Sequence, residues 1–220
     1  MTTAVIIVAA GEGERFGGEL PKQYAKLAGK SMLLHSVELF SRLENIDHVI
    51  VAINSKHEHI YKALAPSMPE YVFGGARRQD SVYAGLTALA KHNPVKVLTH
   101  DAARPLVSPQ IITEVVDMLN DFKAVDVANP LQDTIKKNDG GIELLDRSKL
   151  YATQTPQGFC YPTLMQLYEK YNDRNATDDI SFALWANLNV GLVNGSKHNL
   201  KITTPEDHQY AEYLFKMKAL

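Results

Sequence analysis

Short apolar runs rich in β-branched residues recur through the first 130 residues, and they alternate with stretches in which every third or fourth position is apolar. An uninterrupted apolar run is typical of a strand buried on both faces, whereas the wider spacing is typical of an amphipathic helix. The pattern predicts strands at 4–8, 47–53, 71–73, 95–99 and 124–128. It predicts helices at 31–43, 57–65, 80–91 and 108–119, with Ser31 and Ser108 as N-caps of the first and last.

This alternation of strands and helices predicts an α/β fold. Right-handed crossovers between the strands give a mostly parallel, Rossmann-like sheet with helices on both faces. Ligands of such sheets bind beyond the carboxyl ends of the strands. We therefore expect the functional residues in the loops that follow the strands.

The alternation stops at residues 131–152, where Asn138-Asp139-Gly140-Gly141 separates two strand-like runs. This is a hairpin signal, and its flanks are too polar for a central strand pair. We interpret 131–152 as an arm that projects from the domain, either as a surface hairpin or as a dimer contact. Beyond it, the pattern predicts helices at 161–171 and 178–187, strands at 189–193 and 200–203, and a final helix from Pro205.

Composition narrows the class of protein. The chain has 220 residues with 45% apolar and 22% charged positions, which suits a single domain over 1–220 with the arm as a subdomain. A net charge of −2 argues against a nucleic-acid-binding surface. The lone Cys160 allows no disulfide within the chain, and it is interpreted as a structural residue. No apolar run is long enough for a membrane span or a signal sequence, so we expect a cytoplasmic protein.

The first strand leads into a glycine-rich loop, residues 9–23, that has the features of a phosphate site. Gly11 and Gly13 let the backbone approach a ligand closely, and Arg15 and Lys22 add positive charge. Lys22 follows Pro21 where a P-loop requires glycine, which excludes that motif. Phe16 stands where a dinucleotide fingerprint requires its third glycine, which disfavours an oxidoreductase.

Two further loops carry candidate chemistry. Gly74-Gly75 follows the third strand and, with Ser81, could meet the edge of a base; the alternative is a plain turn with Asp80 as helix N-cap. Arg77 and Arg78 are expected to be solvated, although Arg78 could brace the loop. Asp101 ends the fourth strand and suits Mg²⁺, the alternatives being an N-cap or an ion pair with Arg104. His100 is interpreted as a structural histidine and not as a general base.

Several short motifs, taken in order, resemble one enzyme family. They are A-A-G-x-G-x-R from Ala9 with Pro21-Lys22-Gln23, then GGARRQDSV at 74–82, HDAARP at 100–105, DT at 133–134, QTPQ at 154–157, TDD at 177–179 and NLKITTPED at 199–207. This series resembles the 2-C-methyl-D-erythritol 4-phosphate cytidylyltransferases of the non-mevalonate isoprenoid pathway, and the resemblance spans essentially the whole chain. The six motifs that follow the glycine-rich loop, taken in order, are far more specific than any one of them.

The resemblance implies transfer of CMP from CTP to a polyol phosphate, with Mg²⁺ as cofactor and Asp101 as its ligand. It implies a homodimer in which the arm of one subunit reaches the site of the other. It gives catalytic roles to Arg15, Lys22 and Lys201. The CTP site would comprise Ala9, Ala10, Gly11, Gly13, Gly75, Ser81, Asp101 and Ala102. The acceptor site would comprise Arg104, Thr134, Arg147, Thr155 and Thr177.

Two alternatives remain open at this point. A ribitol-phosphate or other polyol-phosphate cytidylyltransferase would share the fold and the CTP site, although alanine at position 103 of HDAARP is more similar to the methylerythritol enzymes. A non-catalytic nucleotide-binding regulator is the alternative from another class. The presence of Lys22, Asp101 and Lys201 together argues against a regulator.

Overall fold

A seven-stranded sheet forms the centre of the computed structural model, which describes residues 2–13, 16, 20–65 and 68–218. The strand order is β11-β7-β10-β6-β1-β4-β5, and every pairing is parallel except the two made by β10. The sheet strands are β1 (Thr3–Ala9), β4 (His48–Ile53), β5 (Glu70–Phe73), β6 (Lys96–Asp101), β7 (Ala124–Pro130), β10 (Tyr151–Cys160) and β11 (Val190–Asn194). The predicted Rossmann-like α/β fold is therefore confirmed.

Seven α-helices accompany the sheet in the described ranges: α1 (Met32–Ser41), α2 (Glu58–Ala63), α3 (Arg78–Leu89), α4 (Pro109–Met118), α5 (Tyr161–Lys170), α6 (Ile180–Trp185) and α7 (Pro205–Lys218). Both predicted serine caps are present, because Ser31 Oγ accepts from the Leu34 N–H and Ser108 Oγ accepts from the Ile111 N–H. Asp80 is not the N-cap of α3: it lies in the first turn and accepts from the N–H of Arg77, which is the N-cap. None of the helices described here is both long and apolar enough to cross a membrane.

The helices cover both faces of the sheet, as predicted. Val5 and Ile7 point to one face and pack with α1, α2 and α4, whereas Ala4 and Ile6 point to the other and pack with α3, α5 and α6. Successive side chains of a strand alternate between faces, so a continuous apolar run supplies both cores. A third, smaller core lies between α7 and the loop after β6, around the fully buried Ile202.

Two short hairpins stand apart from this sheet. The first pairs β2 (Lys26–Leu27) with β3 (Lys30–Ser31), and the sequence pattern did not predict it. The second pairs β8 (Lys136–Asn138) with β9 (Ile142–Leu144) inside the predicted arm. The arm extends only to about residue 150, because Tyr151 already pairs with Pro130 at the start of β10.

Two predictions about strands were wrong. The pattern missed β10, which lies antiparallel between β6 and β7. It also predicted a strand at 200–203, where the chain forms no strand. Ile202 makes one backbone hydrogen bond, from its N–H to the Ala103 carbonyl at 2.8 Å, and its side chain fills the core under α7. This one hydrogen bond to the loop after β6 holds the segment in place, but pairing as a β-strand would require a series of backbone hydrogen bonds.

Candidate active site

A cavity of about 680 Å³ opens beyond the carboxyl ends of β1, β5 and β6. This is the edge at which parallel α/β sheets bind ligands. Ten of the residues singled out from the sequence line it together: Ala9, Ala10, Gly11, Gly13, Lys22, Gly75, Ser81, Asp101, Ala102 and Lys201. The sheet therefore gathers into one site positions that are up to 192 residues apart in sequence (201 − 9).

The loop after β1 is held in a conformation that suits backbone contact with a ligand. Gly13 has φ +72°, in the left-handed region that favours glycine, and a Cβ there would lie 3.1 Å from Cγ of Lys22. The buried Gln23 donates its Nε2 hydrogens to the carbonyls of Ala9 and Gly11, at 2.8 and 2.9 Å. Gln23 was not selected as a site residue from the sequence, and its only signal was its place in Pro21-Lys22-Gln23.

The turn after β5 packs against this loop without room for a side chain. A Cβ at Gly74 would lie 2.5 Å from Ser81 Oγ and 2.6 Å from the Ala10 Cβ. A Cβ at Gly75 would lie 2.4 Å from that of Asp80. Glycine is required here by close approach, so backbone groups at 74–75 form part of the cavity wall.

Lys22 connects the glycine loop to the C-terminal part of the site. Its ammonium donates to the Ile202 carbonyl at 2.9 Å, next to Lys201, whose side chain also lines the cavity. Arg15 lies outside the described residues. The two lysines therefore bring positive charge to one side of the cavity, the charge distribution that a phosphate ligand requires.

Asp101 is the central anion of the site. One carboxylate oxygen accepts from Arg78 Nε at 2.9 Å, and the other accepts from Lys201 Nζ at 2.6 Å. Burial alone would raise the pKa of the Asp101 carboxyl, but Arg78 and Lys201 hold it well below its usual range. The carboxylate is therefore ionised at every pH of interest. The sequence analysis considered an ion pair between Asp101 and Arg104, whereas the structure pairs Asp101 with Arg78 and Lys201.

Arg78 is not solvated as expected, whereas Arg77 is. The Arg78 side chain is only 20% exposed and bridges Asp101 to the fully buried Asp179, with 2.7 Å between its Nη1 and the Asp179 carboxylate. Arg77 is 42% exposed and pairs with Asp80. The structure therefore supports the alternative prediction, in which Arg78 braces the loop before α3.

His100 and Thr155 support the back of Asp101. Burial lowers the pKa of the His100 imidazole to about 3, so the ring is neutral. Its Nε2 lies 3.2 Å from the carbonyl oxygen of Arg104. Because a carbonyl oxygen can only accept a hydrogen bond, Nε2 is the ring nitrogen that carries the hydrogen. Thr155 donates its hydroxyl hydrogen to Nδ1 and accepts from the Asp101 N–H, both at 3.1 Å. His100 is thus a structural residue and cannot act as a base in this arrangement.

The other residues predicted to bind the acceptor substrate lie outside the cavity. Arg104 donates to the Asn199 carbonyl at 2.7 Å, beside the Lys201 segment. Thr177 is exposed two residues before Asp179. Thr134 and Arg147 are exposed on the arm, where Arg147 donates to the carbonyl of Gln132. Within the described ranges, none of these four side chains lines the cavity.

A sequence model of the family described as IspD, 2-C-methyl-D-erythritol 4-phosphate cytidylyltransferase, matches residues 3–217. The chain belongs to this family.

Individual members agree with that assignment. A 2-C-methyl-D-erythritol 4-phosphate cytidylyltransferase of Clostridioides difficile is 38% identical, over 98% of this chain and 94% of its own length. The crystal structure of a 4-diphosphocytidyl-2C-methyl-D-erythritol synthase from Anaerococcus prevotii superposes with a TM-score of 0.87 at 31% identity, covering 98% of this chain and 96% of that one.

Other members of the cytidylyltransferase family are longer. A bifunctional enzyme IspD/IspF of Paramagnetospirillum magneticum is 41% identical over 97% of this chain, yet the match covers 56% of that enzyme. The match with its counterpart in a Ruegeria species covers 57% of that enzyme. The chain thus spans just over half the length of these relatives.

Proposed function

We propose that this chain transfers CMP from CTP to 2-C-methyl-D-erythritol 4-phosphate and releases pyrophosphate. The observation that carries the proposal is the cavity at the ends of β1, β5 and β6, which combines a glycine-rich loop with Lys22, Lys201 and a buried carboxylate. Relatives of the same length bear the name of this activity. The cavity volume of about 680 Å³ lies in the range of small-molecule sites.

The charges in the cavity suit this reaction. An oxygen of the acceptor's phosphate attacks the α-phosphorus of CTP, the new P–O bond forms, and the bond to the pyrophosphate leaving group breaks. The attacking oxygen is already ionised at neutral pH, so no general base is needed, and the neutral, buried His100 is consistent with this. The barrier is the approach of two anions, which Lys22, Lys201 and Arg15 would offset.

The cavity walls support a small base. Gly74, Gly75 and Ser81 are packed so closely that the turn offers mainly backbone groups to a ligand. Ser81 Oγ already lies 3.3 Å from the Arg77 carbonyl, to which it donates, and its remaining lone pairs are free to accept. Cytosine carries an exocyclic amine that can donate where uracil has a carbonyl. This turn therefore supports CTP as the nucleotide.

The residues present also fit Mg²⁺. In the described ranges, no group of three or more His, Cys, Asp or Glu residues could enclose a metal ion. Mg²⁺ is usually bound by one or two carboxylates together with waters and substrate phosphates, and each Asp101 oxygen keeps a lone pair beside its ion pair. Asp101 and the nucleotide phosphates would therefore hold the ion jointly. When bound, Mg²⁺ supplies positive charge that neutralises the phosphate oxygens.

Acceptor binding is proposed to involve a second subunit. On the arm, Ile142 is 74% and Leu144 69% exposed, which are unusual exposures for large apolar side chains. A homodimer would cover them and bring Thr134 and Arg147 of one arm toward the partner's cavity. Arg104 and Thr177 would complete the acceptor site from the chain's own side, and the buried Thr155 would contribute through its support of Asp101.

The function is tested by measuring pyrophosphate release. CTP should be turned over with methylerythritol phosphate and not with UTP, ATP or GTP. Ribitol 5-phosphate, assayed in parallel, should be a poor acceptor. Equal turnover with UTP would refute the cytosine assignment, preference for ribitol phosphate would reassign the acceptor, and binding of CTP without turnover would indicate a regulator.

The metal is tested separately. EDTA should abolish turnover and Mg²⁺ should restore it. Asp101→Asn should increase the Mg²⁺ concentration needed for half-maximal rate, because a neutral amide is a weaker ligand for a hard cation. Asp117→Asn, which removes an exposed carboxylate on α4, is the control and should leave the requirement unchanged. Full activity in chelator would contradict the role of the metal.

A further inference from the structure

Arg78 links the candidate site to the rigid interior. Its Nη1 donates to Asp179, which is fully buried and also accepts from Thr99 Oγ1 at 2.6 Å and from the hydroxyl of Tyr168. These contacts fix the Asp179 carboxylate from three sides. Since the guanidinium is planar and rigid, anchoring Nη1 also fixes the direction in which Nε points.

The other end of the guanidinium meets the cavity. Nε of Arg78 donates to one oxygen of Asp101 at 2.9 Å, and the second oxygen holds Lys201 at 2.6 Å. The contacts therefore run from the core through Asp179, Arg78 and Asp101 to Lys201. A lysine at position 78 could not reproduce this, because one ammonium group cannot present two donors in fixed directions.

Stability alone does not account for this arrangement. The third nitrogen of Arg78, Nη2, is buried and has no hydrogen-bond partner among the residues that the structure describes. A buried donor without a partner opposes folding, and an apolar side chain of similar size would avoid that cost. The guanidinium therefore occupies this position although one of its three nitrogens, Nη2, forms no stabilising hydrogen bond with the described residues.

We propose that Arg78 is a positioning residue: it holds Asp101 in the orientation that places Lys201 at the reacting phosphate. The catalytic part of this inference rests on the proposed cytidylyltransfer. The position of Lys201 relative to Asp101 can be tested without that assumption.

A single substitution at position 78 would be ambiguous. Arg78→Met would leave the Asp179 carboxylate buried without its counter-ion, and the loss of activity could then reflect unfolding. Arg78→Met combined with Asp179→Asn removes both charges of this pair, and the amide can still accept from Thr99. The double variant should therefore melt close to the unsubstituted protein, while Asp101 has lost its anchor.

For the double variant, we expect kcat to fall by about ten- to a hundred-fold, the loss typical of groups that orient functional residues, with KM for CTP within about two-fold. Arg78→Lys should also lower kcat. Arg42→Met, which removes an exposed guanidinium that pairs with Glu38 on α1 and does not line the cavity, should leave kcat unchanged. A double variant with native melting temperature and kcat within about three-fold of the unsubstituted protein would refute the catalytic role.

A crystal structure of the double variant gives the result that does not depend on turnover. Because Lys201 remains as the counter-ion of Asp101, the unanchored carboxylate should turn and carry Lys201 Nζ with it, so that Nζ moves by about 1 Å or more relative to the β1 backbone. An unchanged position of Lys201 Nζ would overturn the positioning role even if kcat fell. If the unsubstituted protein fails to turn over CTP, the proposed function is wrong, and this structural comparison still decides whether Arg78 positions Lys201.

Discussion

Lys22 is the residue whose loss would test the proposed chemistry most directly. Lys22→Ala removes a cation that faces the cavity and donates to the Ile202 carbonyl. We expect kcat to fall by about a hundred-fold or more, as is typical when one charge-stabilising donor is lost. The far-ultraviolet circular dichroism spectrum should stay native, because the side chain lies in a partly exposed loop.

The matched control for Lys22 is Lys26→Ala. Lys26 is exposed, lies four residues further along the chain, and does not line the cavity. Its loss should leave kcat unchanged. A decrease of less than about five-fold for Lys22→Ala, with native circular dichroism, would mean that Lys22 has no catalytic role.

Residue types in the loops after the strands were enough to predict much of the candidate site. Gly13, Lys22, Asp101 and Lys201 were selected from motifs, and the sheet brings them together. Bracing of the loop by Arg78 was one alternative, but its bridge between Asp101 and Asp179 could not be predicted in this way. Its partners lie 23 and 101 residues away in sequence, whereas the neighbouring Arg77 is 42% exposed and pairs locally with Asp80.

At the scale of elements, the arm carries the sharpest prediction about the acceptor. Arg147→Ala should raise KM for the acceptor with little effect on KM for CTP, because a guanidinium can hold a phosphate through two hydrogen bonds. Arg147→Lys should not restore the lower KM, since an ammonium group cannot form that pair. Steady-state kinetics with each substrate varied in turn provides the measurement.

Lys149→Ala serves as the control on the same arm. Lys149 is 81% exposed and pairs only with Asp146 across 3.6 Å among the described ion pairs. It lies two residues from Arg147, so it tests whether any loss of positive charge on the arm weakens acceptor binding. Equal effects of the two alanine variants would indicate general electrostatic attraction and not a specific contact.

Elements with a strong pattern were predicted, and the exceptions have physical causes. Runs such as Val5-Ile6-Ile7-Val8 can only be buried, so β1 was evident. Strand β10 was missed because Gln154, Thr155 and Gln157 suggest a loop. They are buried nevertheless, because their polar groups form hydrogen bonds with other parts of the protein. For example, Gln157 Nε2 donates to Asp126 at 3.0 Å and to Asp178 at 2.9 Å. Such tertiary partners cannot be inferred from local periodicity.

At the scale of the whole molecule, the proposed dimer makes a prediction about mixed subunits. Lys22→Ala affects the subunit's own cavity, whereas Arg147→Ala would affect the partner's cavity. Mixing the two weakly active variants should therefore recover activity. In each mixed dimer, one site receives both defects and the other receives neither.

The expected recovery approaches a quarter of unsubstituted activity per subunit when exchange is complete, since about half of the dimers are mixed and each has one intact site. Subunit exchange should be confirmed with differently tagged chains. Mixing Lys22→Ala with Lys201→Ala is the control: both changes affect the subunit's own cavity, so no site becomes intact. Absence of recovery despite exchange would mean that each arm serves its own subunit.

The position of β10 also constrains the order in which the chain can fold. The pairings among β6, β1, β4 and β5 are complete within residues 3–101. Strand β7 follows at Ala124–Pro130, but both of its neighbours, β10 and β11, come later in the chain. During synthesis, β7 therefore has no strand partner from its own sheet until residues 151–160 emerge, and β10 then joins the two halves.

The arm lies between β7 and β10, and its hairpin forms from residues only a few positions apart. Local pairing of this kind is fast, and it shortens the flexible segment whose ends must meet. Closing the β7–β10 pair thus costs less chain entropy once the hairpin has formed. Replacing hairpin residues 136–144 with a flexible linker of the same length should therefore delay completion of the sheet in refolding, quite apart from any contact that the arm makes with a second subunit.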